Sequence, residues 1–362
     1  MVAALLHPFW AVPRISGIQP PKVIRSTADF AHYVGLARTT VSRVLNGQPG
    51  LKQKTIDRVR RAMAETGFTP NAYALHLRGK RTATVGVCME SLLTPPAVIK
   101  LAMLQSLLRE RKYSTLIEML DPEGSERAIK HFMSMRVDAV VFIGHFVESV
   151  LAQRIQELSR HNIPHLVIDH VGIRNANTVA LDRQAAMAGV IRHLTGLGHT
   201  YFGLLGLSGG LRSVRDRAAG IADGLKARNL SMEGSTLSLD HLHTRESDFE
   251  YGRALARSFL AERKRPTAFV ALNDEIAIGA IHGLTHSGLS VPGDISVVGF
   301  NNQDICMMST PRLTSVDQQI QKTIESGAEI VLAQIGQPQR RRPIVRMIEP
   351  LLIARESSGP AP

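Results

Sequence analysis

The chain has 362 residues, 44% of them hydrophobic and 20% charged, which is long enough for two or more folding units with buried cores and too apolar for a disordered chain. No apolar run approaches the ~18–20 residues of a membrane-spanning helix, and two cysteines, Cys88 and Cys306, with no CxxC or histidine-rich neighbour, give neither a disulfide framework nor a metal site; a reducing cytoplasm fits best. The formal net charge is +12 and it is concentrated: twelve basic residues face three acidic ones between Lys22 and Arg81, a net +9, the footprint expected of a segment that meets an anionic partner.

Residues 1–24 mix apolar residues with Pro8, Pro13, Pro20 and Pro21 and have no helical or strand period. They lack the basic start and cleavage site of a signal peptide, so an upstream start codon or a disordered arm is the expectation. Residues 25–69 read as three short helices. Ser26 with Asp29 resembles a capping box opening the first, which Gly35 ends; a second covers Arg38 to Asn46; Gln48-Pro49-Gly50 makes a loop before a third that stops at Gly67. Three short helices with a tight turn between the first two form a helix-turn-helix head. Residues 70–82 read as a linker holding one possible helix. From 83 to 358, buried-strand patterns alternate with helical ones: 84–89, 115–120, 138–144, 165–169, 201–206, 268–272 and 295–300. Such alternation predicts α/β lobes built on parallel sheets, and the length suits two of them.

In the second helix Val41, Val44 and Leu45 fall at i, i+3 and i+4 and should pack inward, leaving Arg38, Thr39, Ser42 and Arg43 outward. A donor-rich face at the start of a second helix suits the DNA major groove. Arg43 could hold guanine O6 and N7 with two hydrogen bonds, with Arg38 and Thr39 reading neighbouring pairs. Thr40, Ser42, Asn46 and Thr55 are better placed for phosphate oxygens, which fix register. The plain alternative for each is a solvated helix face.

The string Thr40-Val41-Ser42-Arg43-Val44-Leu45-Asn46, with Ala31, Gly35, Thr55, Val59 and Gly67-Phe68 before Pro70-Asn71, closely resembles the DNA-binding head of the LacI/GalR family. Ala37 and Lys52 stand where that family usually places helix caps, a loss of about 1 kcal/mol each. The resemblance extends to the core through VPGDISVVGFNN (291–302), TPRLTSVDQ (310–318) and EPLLIARESS (349–358). It implies a two-lobed fold like periplasmic sugar-binding proteins, crossed three times by the chain and closing over a small molecule. It also implies a hinge helix over 71–79, with Leu77 as a wedge in a minor-groove base step and Asn71 and Ala74 packed nearby; Leu77 could instead only anchor the linker to the core.

Ligands in such sheets sit outside the carboxyl ends of strands, where Asp169, Asn273 and Asn301 fall. Arg217 matches the arginine with which the family holds a ligand, while Asn301 replaces the family's usual Asp. Asp274 is expected to cap a helix starting at Glu275, and Asp169 could merely bond backbone in a turn. The resemblance thus implies a cytoplasmic, nucleoid-associated regulator, by family default a repressor, binding a palindromic double-stranded operator as a homodimer and answering to a small polar effector such as a sugar or sugar acid. No cofactor, metal or membrane is expected, and the end RESSGPAP lacks the leucine heptads of a tetramer-forming coiled coil. An enzyme finds little support: Gly203, Gly206, Gly209 and Gly210 form no phosphate-binding motif, Ser208 has no G-x-S-x-G context and no HExxH occurs. A transport-type binding protein without a DNA role is the other alternative; the basic head opposes it.

Overall fold

The computed structural model describes residues 24, 26–45, 48–68, 81–92, 94–120, 125–207, 209, 211–239, 247–336 and 342–362. The chain divides into two compact units, Met1–Thr82 and Ala83–Pro362. The expectations for residues 1–23, for Asn46 and for the hinge residues Asn71, Ala74 and Leu77 lie outside the described residues.

In the first unit, α1 (Thr27–Val34) opens on the expected box: Ser26 Oγ accepts from the Asp29 amide at 3.1 Å, and Asp29 Oδ2 accepts from the Ser26 amide at 3.1 Å. This satisfies two of the donors a helix start leaves unpaired. Gly35, at φ 67°, ends α1 in the left-handed conformation glycine takes without strain. Next come α2 (Arg38–Leu45) and α3 (Gln53–Thr66), whose N-cap Lys52 makes no side-chain cap bond. Phe30, Val34, Val41 and Val59 form the small core, closed by Phe68 stacked on Phe30 with ring centroids 4.2 Å apart.

The second unit begins with β1 (Thr84–Met89), α4 (Pro95–Glu110), β2 (Ser114–Met119), α5 (Ser125–Ser134), β3 (Ala139–Ile143), α6 (Glu148–Arg160), β4 (His165–Ile168) and β5 (Asn177–Leu181). The chain then crosses to a second lobe of α7 (Arg183–Gly196), β6 (Phe202–Leu205), α8 (Arg212–Lys226), α9 (Met232–Ser235), β7 (Thr236–Leu239), α10 (Asp248–Ser258), β8 (Ala268–Ala271), α11 (Asp274–His286), β9 (Ser296–Asn301), α12 (Ile305–Met308) and β10 (Thr314–Asp317). It returns with α13 (Ile320–Gly336) and β11 (Val345–Ile348) and crosses a third time to β12 (Leu351–Ile353).

The sheet orders are β11-β5-β4-β3-β1-β2 and β12-β10-β9-β8-β6-β7. All pairings are parallel except β12 on β10, so the expectation of parallel sheets holds with one antiparallel edge. Neighbouring strand residues alternate sides, and both sides of the inner strands are covered, whereas the edge strands β2 and β11 are partly exposed. Ala139, Val141 and Ile143 pack with Leu104 and Leu108 of α4 and Ile324 and Val331 of α13, whereas Val140 and Phe142 pack with Phe132 of α5 and Leu151 and Ile155 of α6. The second lobe repeats this, with Phe269 and Val297 on the α10–α11 side and Val270 and Val298 on the α7–α8 side. Where α10 meets α11, a Cβ on Gly252 would lie 2.0 Å from the Ile276 carbonyl oxygen, so glycine sets how closely these helices approach.

One local expectation is corrected. The α11 cap is Asn273, whose Oδ1 accepts from the Ile276 amide at 2.8 Å. Asp274 is fully buried and accepts from the Gln303 amide at 2.9 Å and Ser315 Oγ at 2.5 Å, tying α11 to the segments after β9 and in β10.

Candidate functional site

On the head, α2 places Val41 in the core and half-buries Val44 and Leu45, which turns Arg38, Thr39 and Arg43 to solvent. Thr40, Ser42 and Thr55 are half-buried, so Ser42 is less outward than its spacing suggests. Arg43 Nη2 donates to the Pro49 carbonyl at 3.3 Å, a long bond to the loop before α3. Arg58, Arg60 and Arg61 are also exposed, on α3. Two arginines and a threonine on one short exposed helix can donate to base edges, with flanking cations available to phosphates.

In the core, the segments at the carboxyl ends of β1, β3, β4, β8 and β9, with the first turns of α4 and α8, enclose a cleft of about 660 Å³. All four residues expected there, Asp169, Arg217, Asn273 and Asn301, line it. Asp169 and Asn301 sit at φ 71° and 123°, left-handed values rare outside glycine. Strained backbone of this kind clusters at ligand-holding sites.

A buried polar chain crosses the cleft floor. Lys100, on α4, donates to Asp169 Oδ2 and, at 2.9 Å, to Gln318 Oε1; Gln318 Nε2 donates to Asn301 Oδ1. On the other side, Arg183 reaches Asp169 Oδ1 at 3.1 Å and its backbone oxygen at 3.2 Å. Arg183 and Gln318 lie on the first two crossings between the lobes, so this chain joins both lobes through the connecting segments. Burial alone would push the Asp169 carboxyl up, but Lys100 and Arg183 hold it well below the usual carboxylate range. Burial lowers the Lys100 ammonium, an effect Asp169 opposes. His145, beside Arg183, Arg217 and Lys100, is held well below the ordinary histidine range by burial and those cations.

Arg217 stands apart. It is 6% exposed, its guanidinium lies 4.1 Å from the Phe300 ring centroid, and its Nε has no hydrogen-bond partner among the described residues. Burial, with Arg183 nearby, pushes its pKa down to about 9, which leaves it charged at neutral pH. Lys100, Arg183, His145 and Gln318 were not singled out from the sequence. One signal was available for Lys100: it shares a buried stripe with Leu104 and Leu108 at i+4 and i+8. Asn273 caps α11 and also donates to Asp248 Oδ2 at 2.6 Å, which positions Asp248 at the cleft. Among the described residues no group of histidine, cysteine and carboxylate side chains could hold a metal ion, and no helix is long and apolar enough to cross a membrane.

Residues 27–71 match the family described as bacterial regulatory proteins, lacI family, and residues 191–358 match a periplasmic binding protein-like domain. The lactose operon repressor of Escherichia coli (strain K12) is 31% identical over 319 residues, 86% of this chain and 84% of that protein. The catabolite control protein A of Priestia megaterium is 28% identical over 297 residues, 80% and 86% of the two chains. Among solved structures, the lac repressor dimer bound to operator and the anti-inducer ONPF superposes with a TM-score of 0.81 at 26% identity, covering 92% of this chain and 99% of that one.

Proposed function

The chain belongs to the lacI family of bacterial regulatory proteins and is a DNA-binding transcription regulator with an effector-binding domain; on that premise we propose that it acts in the cytoplasm as a homodimeric repressor of a roughly palindromic operator, released or recruited by a small polar molecule closed between its lobes. The observation that carries this reading is the exposed trio Arg38, Thr39 and Arg43 on α2, inside the matched segment and within the most basic stretch of the chain. Arg43 reads a guanine, Arg38 and Thr39 read its neighbours, and Thr40, Ser42, Asn46 and Thr55 hold phosphates. Asn71, Ala74 and Leu77 carry the minor-groove contact.

Two-fold pairing is supported by exposed apolar side chains in the first lobe. Val98 and Ile99 on α4 and Ile117 and Met119 on the edge strand β2 are between 37% and 44% exposed, a combination of bare edge and apolar surface that a second copy would cover. The ligand reading rests on the cleft, whose polar groups converge from both lobes. A molecule there changes DNA affinity only if it binds two arrangements of the lobes with different strength, and such coupling is typically about 1–3 kcal/mol. We assign no catalytic step to the cleft. A transport-type binding protein without a DNA role would leave the head unexplained.

Selection of bound fragments from a random duplex pool tests the proposal. Enrichment of a motif with two related half-sites is expected; a pool that stays random, with and without metabolites, would remove it.

A further inference from the structure

The charges around the cleft are unevenly placed. Two basic side chains, Lys100 and Arg217, and one carboxylate, Asp169, are buried in its lining, and a third basic side chain, Arg183, pairs with Asp169; Lys100, Arg217 and Arg183 are 4%, 6% and 3% exposed. Both Asp169 oxygens are already engaged, one by Lys100 and one by Arg183. Lys100 donates to Asp169 and Gln318, and its third proton has no acceptor among the described residues. Arg217 is drawn toward Asp169 and Asp216, yet Asp216 is itself held by Arg212 Nε at 2.9 Å. The floor therefore carries more buried positive charge than the chain neutralises. A neutral ligand closing over it would strip water from that excess and return hydroxyl acceptors but no counter-charge, and an uncompensated buried charge is among the costliest arrangements in a protein.

The backbone adds to the same sign. Two helices begin at the cleft, one from each lobe: Thr94, Pro95, Pro96 and Ala97 of α4, and Leu211, Ser213 and Val214 of α8. Neither start has a side-chain cap bond, but α4 opens on Pro95 and Pro96, which have no N–H, and its Ala97 and Val98 amides bond the Thr94 carbonyl, so the amides a helix start offers an anion are those of α8. Arg217 stands one turn into α8, nine-tenths buried and unpartnered at Nε.

Acceptors lie elsewhere. Asp248 and Glu275 are half-buried and each is fixed by an amide, Asp248 by Asn273 and Glu275 by Gln303 Nε2 at 3.0 Å, while Glu90 is exposed and accepts from the His145 amide at 2.6 Å. Oriented, partly hydrated carboxylates and amides of this kind take hydroxyl groups.

We propose that the molecule held in this cleft is an anionic carbohydrate, its carboxylate or phosphate taken by Arg217 and Lys100 beside the start of α8 and its hydroxyls taken by Asp248, Asn273 and Glu275. This rests on the reading of the cleft as the effector site and narrows it to a class of ligand. Lys100 then selects for charge, since it is the floor cation whose exchange for methionine leaves Asp169 paired with Arg183.

The test is isothermal titration of the full chain with matched probes on common skeletons: glucose, gluconate, glucuronate and glucose 6-phosphate, and the galactose, xylose and arabinose series prepared likewise. In at least one series the acid or the phosphate binds at least tenfold tighter than the neutral sugar, and comparing those two arms identifies the anionic group. Lys100→Met weakens that anion at least tenfold more than it weakens the matched neutral sugar, while Lys100→Arg keeps the preference; melting curves of both variants establish that they fold. A neutral sugar binding as tightly as its acid and phosphate, an anion whose Kd moves less than twofold beyond that of the matched neutral sugar in Lys100→Met, or no anion bound in any series each overturns the inference. Operator titrations with the bound probe separate this from the regulatory reading. A neutral ligand that shifts operator affinity leaves effector control standing and removes the anion, whereas an anion that needs Lys100 but leaves operator affinity unchanged does the reverse.

Discussion

Asp169 holds the cleft floor together, and replacing it with asparagine should cost far more than replacing the lysine that bonds it. In Asp169→Asn, Lys100 and Arg183 lose their shared counter-charge while their side chains remain 5% and 3% exposed. Removing one member of a buried ion pair costs about 3–5 kcal/mol, because the remaining charge is stranded. In Lys100→Met the carboxylate keeps Arg183 at 3.1 Å, with the same guanidinium on the Asp169 backbone oxygen at 3.2 Å, and the new side chain fills similar space without a charge to desolvate. The losses are two donors, one to Gln318 Oε1 and one to Asp169 Oδ2, partly offset by the ammonium that no longer has to be desolvated, together about 1–3 kcal/mol. Asp169→Asn should therefore cost more than Lys100→Met by about 2 kcal/mol, taking the middle of each range. Urea unfolding followed by circular dichroism, with the transitions of the two units fitted separately, reads the difference. Acid adds a signature. The folded Asp169 carboxyl lies below its ordinary 3.8, so its contribution is complete above that value and lost as pH falls through it toward the folded value. That acid slope should be shallower in Asp169→Asn. If the two substitutions cost the same, or Asp169→Asn costs less than about 1 kcal/mol, the buried-charge argument fails.

Arg43→Ala should cost about 1–3 kcal/mol in operator binding and relax preference at one base position per half-site, measured by anisotropy against single-base variants of the selected site. Gly279→Ala should destabilise the core by about 1–3 kcal/mol or more, because its new Cβ would lie 2.0 Å from the Phe249 carbonyl oxygen and drive α10 and α11 apart; thermal melting reads it. His199 is 1% exposed, bonds Thr267 and Gly359, and is lowered by burial, so it stays neutral when folded and protonates first in the unfolded chain. Stability should fall as pH drops below the ordinary 6.5, by at most about 1.4 kcal/mol per pH unit from this group, and His199→Gln should flatten the slope in urea titrations.

The head was legible because its determinants are local. Ser26 and Asp29 are three residues apart, Gly35 follows directly, and Val41, Val44 and Leu45 mark one face of one helix. Strands β1, β3 and β9 were legible as apolar runs, since both sides of these inner strands are covered. Strands β5, β7, β10, β11 and β12 were not. They have three to five residues each, β5 and β10 bury Thr178, Thr314 and Ser315, and β11 exposes three of its four residues at a sheet edge. The cleft was half legible. Asp169, Asn273 and Asn301 follow from their places at strand ends, and Arg217 from resemblance. Lys100 was hidden because a helical lysine ordinarily reaches water, and what buries it is Asp169, 69 residues away, and Gln318, 218 residues away.

The most direct test of the central claim is the ratio of affinities of the full chain for its selected site and for a scrambled duplex of equal length, taken at one physiological salt concentration because phosphate contacts alone bind any sequence. The expected result is a ratio of about a thousandfold or more, reduced in Arg43→Ala chiefly through weaker binding to the selected site. Equal affinity for the two duplexes, with Arg43→Ala weakening both alike, would contradict sequence-specific recognition by α2.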